Sequence, residues 1–367
     1  MHGTRAGGLE GTIVADTSLS DVDGERGQLI IAGDRVEDLA GQQPFEAICA
    51  RLWALGDGRV RSPETVRKGL AEARTRAFAQ LPVLQASLRR RDGMDALRGA
   101  LAQLDGGDSD ELSLTAATAV FAAAWARLRA GAAPVAPDPS AGHAADYLAM
   151  ANGRAPQPAQ AAALDAYLVT VSDHGLNAST FAARVVASTG SDLVSAVVAG
   201  VGALKGPLHG GAPGPVLDML DEIGTPEAAR PWLQAALAAD RRIMGMGHRI
   251  YRVRDPRAFV LERALTALET SAGATSLRLA LARTVEQSAE ALLALRHPDR
   301  PLRANVEFYT ALLLEAVGLD RAAFSITFAV GRVAGWLAHV AEQRRTGRLI
   351  RPGSRYVGPA AAAEASA

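Results

Sequence analysis

Apolar residues recur at helical spacing along most of this chain. They outline eight long segments, 44–55, 64–79, 94–104, 112–130, 159–171, 226–239, 276–295 and 321–345. A further run, 193–204, is apolar almost throughout, which predicts a helix buried on all sides. At about a dozen residues it is shorter than the roughly 20 needed to cross a bilayer, so no membrane association is expected. Strand-like sequence is confined to short pieces near the start, such as 28–32 after the turn Asp23-Gly24-Glu25, and predicts at most a small β-ribbon. Breakers at 131–139, Gly206-Pro207 and 298–301 divide the helices, and no repeat period is evident. Residues 360–367 have helix-forming composition without an amphipathic pattern and read as a frayed tail. The pattern as a whole predicts an all-α protein.

Composition adds size and excludes some partners. With 367 residues, 49% of them hydrophobic, the chain can bury a large core and divide into two domains. Lys plus Arg equals Asp plus Glu at 39 each, so no global field draws it to nucleic acid or an anionic membrane, and any anion site must be local. Lys68 and Lys205 are the only lysines, which makes an arginine weak evidence by itself. The single cysteine, Cys49, cannot form an internal disulfide, and residues 1–30 lack the basic start and apolar run of a secretory signal. A cytoplasmic protein is expected.

Four segments place a histidine or a carboxylate beside an apolar helical stretch. They are Ser172-Asp173-His174-Gly175-Leu176-Asn177-Ala178-Ser179-Thr180, Lys205-Gly206-Pro207-Leu208-His209-Gly210-Gly211-Ala212, Gly245-Met246-Gly247-His248-Arg249-Ile250-Tyr251-Arg252 and Asn305-Val306-Glu307-Phe308-Tyr309. At 206–212 the glycines bring backbone close to whatever His209 touches, and a helix through 215–223 follows. Its dipole disfavours protonation, so a neutral His209 can donate to a developing oxyanion; the alternative is a turn histidine satisfying local backbone. At 245–257 a Gly-flanked His248 and several arginines precede a helix that opens at Asp255-Pro256. Guanidinium beside imidazole suits a small dicarboxylate whose carbonyl must be polarised; the alternative is a solvated basic loop. No two histidines stand at a chelating interval, so no metal is expected. The GMGH stretch lacks the Lys-Ser/Thr of a phosphate-binding loop.

The run Gly245 to Arg257 reads GMGHRIYRVRDPR. Together with GPLHGGA at 206–212, DHGLNAST at 173–180 and FAVGRVAGWLAHVAEQ at 328–343, in that order, it closely resembles the citrate synthase family. The similarity extends from the segment 8–40 to RPGSRYVGP at 351–359. The resemblance implies a citrate synthase-like two-domain helical fold, with 1–212 plus 319–367 as the large domain and 213–318 as the small one. It implies condensation of acetyl-CoA with oxaloacetate and water to give citrate and CoA, or, alternatively, the 2-methylcitrate synthase reaction with propionyl-CoA. His209 would stabilise the enolate of the thioester, His248 would polarise the ketone, and Glu307 would take the α-proton. His174, Arg257, Arg332 and Arg351, the last from a dimer partner, would hold oxaloacetate, and Arg252 would contact a CoA phosphate. No permanently bound cofactor is expected, the CoA thioester being a substrate, and a homodimer is expected with 192–204 at its interface.

One position departs from the family pattern. The segment at 305–309 usually resembles NVDFY, with an aspartate as base, whereas this chain has Glu307. Three readings follow: a glutamate accommodated by a shifted backbone, a weakened enzyme, or a paralogue that binds ligands without turnover.

Overall fold

A computed structural model of the chain describes residues 9, 11–107, 109–209, 213–271, 273, 276–300 and 302–358. The tail expected to fray, 360–367, and the glycines after His209 lie outside the described residues. Near the start, β1 (Ser20–Asp23), β2 (Gln28–Ile31) and β3 (Asp34–Arg35) form an antiparallel sheet in that order, with Asp23 opposite Gln28 and Ile31 opposite both Ser20 and Asp34. Sixteen α-helices follow among the described residues. They are α1 (Val36–Leu39), α2 (Phe45–Asp57), α3 (Pro63–Ala79), α4 (Leu81–Leu88), α5 (Gly93–Leu101), α6 (Glu111–Arg129), α7 (His143–Asn152), α8 (Pro158–Val171), α9 (Ala178–Ser188), α10 (Leu193–Leu204), α11 (Pro213–Ile223), α12 (Pro226–Ala238), α13 (Pro256–Ser271), α14 (Leu277–Arg296), α15 (Val306–Ala316) and α16 (Phe324–Thr346). The mostly helical architecture with one small sheet is the one the sequence pattern predicts.

The helices start where side chains can satisfy their free amides. Ser62, Asp92, Asp192, Ser276 and Asn305 each accept a backbone N–H of the first turn, and Asp110 with Ser113 forms a reciprocal capping box. The eight predicted segments correspond to α2, α3, α5, α6, α8, α12, α14 and α16, the last preceded by a 3-10 turn at Arg321–Ala323. The sequence reading gave no bounds for α1, α9 or α15 and missed α4 and α7. Helix α4 is eight residues long with Pro82 in its opening turn, and α7 has no side-chain cap.

Helix α16 is the axis of the core. From Ala329 to Val340 it is buried without a break, packed by α2, α5, α6, α8, α9 and α10. The stretch Arg321–Thr346 is long and apolar enough to cross a membrane by length and composition, and its burial is that of a core helix. Two glycines set how closely it approaches α8. A Cβ on Gly331 would stand 2.6 Å from Val171 Cγ2, and one on Gly335 would collide with the Ser172 carbonyl oxygen. Because nothing projects there, Arg332 lies directly against the C-terminal end of α8.

Helix α10 is covered on one face within the single chain. Val194, Ala196, Val197, Val201 and Leu204 are buried on one face, against α9 and α16. Leu193, Val198, Ala199 and Ala203 on the other face are only half-buried. Uniform apolarity carries no direction, so it could not say which face the single chain covers.

Candidate active site

His174, Arg257 and Glu307 sit at or just before helix starts, whereas Arg332 lies inside α16 and His248 in the loop before α13. His174 lies in the loop between α8 and α9, just before Asn177, whose side chain accepts from the Ser179 and Thr180 amides at 3.2 Å. Arg257 and Glu307 are the second residues of α13 and α15, and Asn305 caps the latter by accepting from Glu307 N at 3.0 Å. Each such terminus contributes partial positive charge, which favours an anionic ligand. The loop carrying His248 is fastened to the start of α15: Asn305 N donates to Gly245 O at 3.0 Å and Asn305 Nδ2 to Gly247 O at 2.9 Å.

Arg257 is the hub of the cluster. It is buried and held side-on by Asp255, with Nε to Oδ1 at 3.0 Å and Nη2 to Oδ2 at 2.7 Å. Asp255 also accepts from Val306 N at 3.2 Å, which ties the start of α13 to that of α15. The Arg257 charge acts on His174, His209, His248 and Glu307 alike. Three imidazoles and one carboxylate, drawn from four separate segments, therefore lie within the field of a single guanidinium, and His248 Nε2 is 3.4 Å from it. His174 and His248 meet edge to face with ring centroids 5.9 Å apart, and Tyr251 touches both, its hydroxyl 3.1 Å from His174 Nε2.

The two histidines expected to act as electrophiles have matching hydrogen-bond patterns. His248 Nδ1 accepts from the Ile250 and Tyr251 amides, both at 3.1 Å, so the ring proton is on Nε2. His209 Nε2 accepts from the Ser179 amide at 3.3 Å and lies 2.8 Å from Ser179 Oγ, which leaves the proton on Nδ1. Burial, reinforced by a neighbouring arginine, lowers each to about 4, so both rings are neutral at pH 7. Arg257 Nη2 stands 3.4 Å from His248 Nε2, so the guanidinium lies directly at the ring nitrogen opposite the one held by the amides.

Burial raises Glu307 to about 7, with Arg257 and Arg242 pulling the other way. Arg332 is buried, donates from Nε to Val171 O at 2.6 Å, and has no carboxylate at ion-pair distance among the described residues. Burial lowers it to about 10, and Asp173 and Arg257 act on it in opposite directions. A guanidinium in this setting is short of an anion.

Residues 8–353 match the family profile described as "Citrate synthase, C-terminal domain". The chain belongs to the citrate synthase family. A "Citrate synthase" from Haloferax volcanii is 37% identical, covering 98% of this chain and 97% of that protein. A "2-methylcitrate synthase" from Mycobacterium tuberculosis is 36% identical over 96% of this chain and 90% of that protein. Among solved structures, citrate synthase from Thermotoga maritima superposes with a TM-score of 0.83 at 32% identity, covering 96% of each chain. The Thermoplasma acidophilum citrate synthase, a ternary complex with carboxymethyl coenzyme A and oxaloacetate, gives 0.83 at 26% identity, again with 96% of each chain covered. Members of this family are acyltransferases that convert the acyl group into an alkyl group on transfer, and condensation of acetyl-CoA with oxaloacetate is the activity that fits the chain.

Two residues that the family resemblance assigns to substrate stand apart from the cluster in the single chain. Arg351 is exposed on the segment after α16, which Ile350 N fastens to Ser188 Oγ at 3.0 Å. Arg252 is exposed beside the β1–β2 turn, its amide donating to Gly24 O at 2.9 Å and its side chain 4.0 Å from Glu25. Conversely, the sequence reading gave no role to several groups that hold the site. Asp173 is buried and engages His339 Nε2 at 3.0 Å and Ser20 Oγ at 2.6 Å; burial works to raise it, and these partners with Arg332 hold it below the usual carboxylate value. Arg184 donates to His339 Nδ1 at 3.0 Å and to Glu342 at 2.6 Å, and Trp336 Nε1 donates to Ser179 Oγ at 3.1 Å. The sequence signal for Asp173 was its place beside His174; the others come from remote helices and carried none.

Proposed function

We propose that this member of the citrate synthase family is catalytically active, with Glu307 as its base. Arg257, Arg332 and His174 hold the carboxylates of oxaloacetate, and His248 donates its Nε2 proton in a hydrogen bond to the ketone oxygen. His209 donates from Nδ1 to the thioester oxygen of acetyl-CoA. Glu307 removes a proton from the acetyl methyl, the enolate carbon attacks the ketone, and the new alkoxide is protonated to give citryl-CoA. Water then cleaves the thioester, releasing citrate and CoA. The observation that carries this reading is that His248 Nδ1 and His209 Nε2 are each occupied by backbone donors in neutral rings, while a carboxyl raised to about 7 lies in the field of the same Arg257. A base poised near the working pH and electrophiles that need no proton of their own suit enolate chemistry.

The two-domain division at 212 and 319 accounts for the site's place between Arg257 on α13 and Arg332 on α16, and closure around the dicarboxylate would exclude water from the enolate. A homodimer accounts for the half-buried apolar face of α10 and gives exposed Arg351 a site to reach in a second copy. The near-equal identity to a 2-methylcitrate synthase supports propionyl-CoA as a second acyl donor. One methylene in an apolar pocket is worth only about 1–3 kcal/mol, so the two activities can coexist. A thiol-release assay with oxaloacetate and either acyl-CoA tests the reading. Turnover is expected, with kcat/KM ranking the two donors, and absence of turnover with oxaloacetate still bound would mark a ligand-binding paralogue.

A further inference from the structure

The β1–β2 hairpin touches both histidine loops of the site. At its base, Ser20 Oγ donates to Asp173 Oδ2 at 2.6 Å and accepts from Gly175 N at 2.8 Å, bracketing His174. Its turn is shaped by Asp23, whose Oδ1 accepts from the Glu25 and Arg26 amides at 3.0 and 2.9 Å. That turn presses on the loop after His248. Gly24 O accepts from Arg252 N at 2.9 Å, a Cβ on Gly24 would collide with the Ile250 carbonyl, and a Cβ on Gly27 would stand 2.5 Å from Val253 Cγ2. The Ile250 carbonyl pressed by Gly24 shares its peptide plane with Tyr251 N, one of the two amides that donate to His248 Nδ1, and Ile250 N is the other.

We propose that this hairpin is a strut that fixes the spacing of His174 and His248 and the tautomer of His248, with Gly24 as a positioning residue for the condensation. None of the named site residues belongs to the hairpin. Its effect passes through backbone: Gly24 sets where the Ile250 peptide lies, that peptide keeps a proton off Nδ1, and Nε2 is thereby left to donate to the ketone. The inference rests on the reading of His248 as the group that polarises oxaloacetate, and the controls separate the two.

Gly24→Ala is the direct test, because the added methyl meets backbone that cannot rotate away. A misplacement on the order of an ångström costs about 100-fold in rate, so kcat/KM for oxaloacetate should fall by about that factor while the thermal midpoint stays within a few degrees. In histidine labelled with nitrogen-15, the ring signals of His248, assigned by their loss in His248→Ala, should shift away from the pattern of an unprotonated Nδ1. Arg26→Ala, in the same turn and pointing to solvent, should leave both readouts at wild-type values. Should Gly24→Ala fail to fold, Gly27→Ala displaces the same turn by striking Val253 Cγ2 and straining a backbone at φ 63°, and the same loss of rate with shifted His248 signals is expected, wild-type readouts overturning the strut. Wild-type kcat/KM in Gly24→Ala, or a loss of rate with unshifted His248 signals, overturns the strut. Full turnover in His248→Ala overturns the underlying reading as well.

Discussion

The two sides of the site are built on different physical terms. On the side of α8, α9 and α16, Asp173, Arg332 and His339 are buried and fixed by contacts with these helices and the hairpin, His174 follows Asp173 in the chain and reaches across to Tyr251, and the close approach of α16 to α8 leaves little room for movement. On the side of 245–257 and 305–307, His248 and Glu307 are half-buried, and their positions depend on backbone amides and one capping asparagine. The contrast is sharpest between the two guanidiniums. Arg257 has a resident partner in Asp255, whereas Arg332 has a backbone carbonyl and the Phe328 ring but no carboxylate at ion-pair distance among the described residues, and burial pushes it down to about 10. One is preorganised by its own carboxylate; the other is completed by a ligand. A site so divided can hold a dicarboxylate against a fixed wall while the opposite wall carries the groups that must respond to chemistry.

The largest effect should come from the responsive side. Glu307→Gln removes the base and should lower the condensation rate by about 10²–10⁴-fold with oxaloacetate binding largely intact, as read by kcat and by direct titration of oxaloacetate. Undiminished turnover would remove Glu307 from the mechanism. Because burial holds this carboxyl near 7, kcat/KM should rise with pH through about 7, while the two imidazoles, at about 4, add no limb above pH 5. The sign for stability is opposite. A carboxyl raised in the folded state is best tolerated when protonated, so its cost appears as pH climbs from its unfolded value through about 7. Glu307→Gln should therefore melt higher than wild type at pH 8 and by less at pH 5. A shift of the same size at both pH values would show that the carboxyl is not held high.

The second comparison sets Arg332→Leu against Arg257→Leu. Both should weaken oxaloacetate binding far more than Arg90→Leu, an exposed position, with kcat/KM falling by about 100-fold or more if each makes a charge-assisted hydrogen bond worth about 1.5–3 kcal/mol together with its geometric role. Their stabilities should diverge. Arg257→Leu strands buried Asp255 and should cost about 3–5 kcal/mol, whereas Arg332→Leu removes a buried charge with no carboxylate partner and should be neutral or stabilising. Equal losses in thermal midpoint would erase the distinction drawn between the two walls.

This division also explains what could be read from the chain beforehand. The His248 to Arg257 stretch was legible because its imidazole, arginines and helix start are contiguous, and the long helices were legible because their apolar faces repeat. On the fixed wall the family resemblance named His174, His209 and Arg332, but the contacts that hold that wall together were not legible. His209 is held by Ser179 from 30 residues away, Asp173 by Ser20 from 153 and by His339 from 166, contacts that no local pattern encodes. Glu307 was visible as a departure from the family's aspartate, but its raised pKa follows from burial that only the folded chain defines. The half-exposed face of α10 was hidden for a different reason, since a helix apolar on every side gives no clue to which side is covered.

The smallest expected effect probes the fixed wall through packing alone. Gly335→Ala adds one methyl where α16 passes the Ser172 carbonyl, and Asp173 Oδ1 lies 3.0 Å from the same point. Overpacking of this kind costs about 1–3 kcal/mol, because two buried helices must separate by a fraction of an ångström. Since Asp173 and His174 follow Ser172 in the chain, the displacement should raise KM for oxaloacetate severalfold while the pH limb set by Glu307 stays where it was. Movement of that limb would mean the two walls are coupled, and the fixed side would then be part of the responsive one.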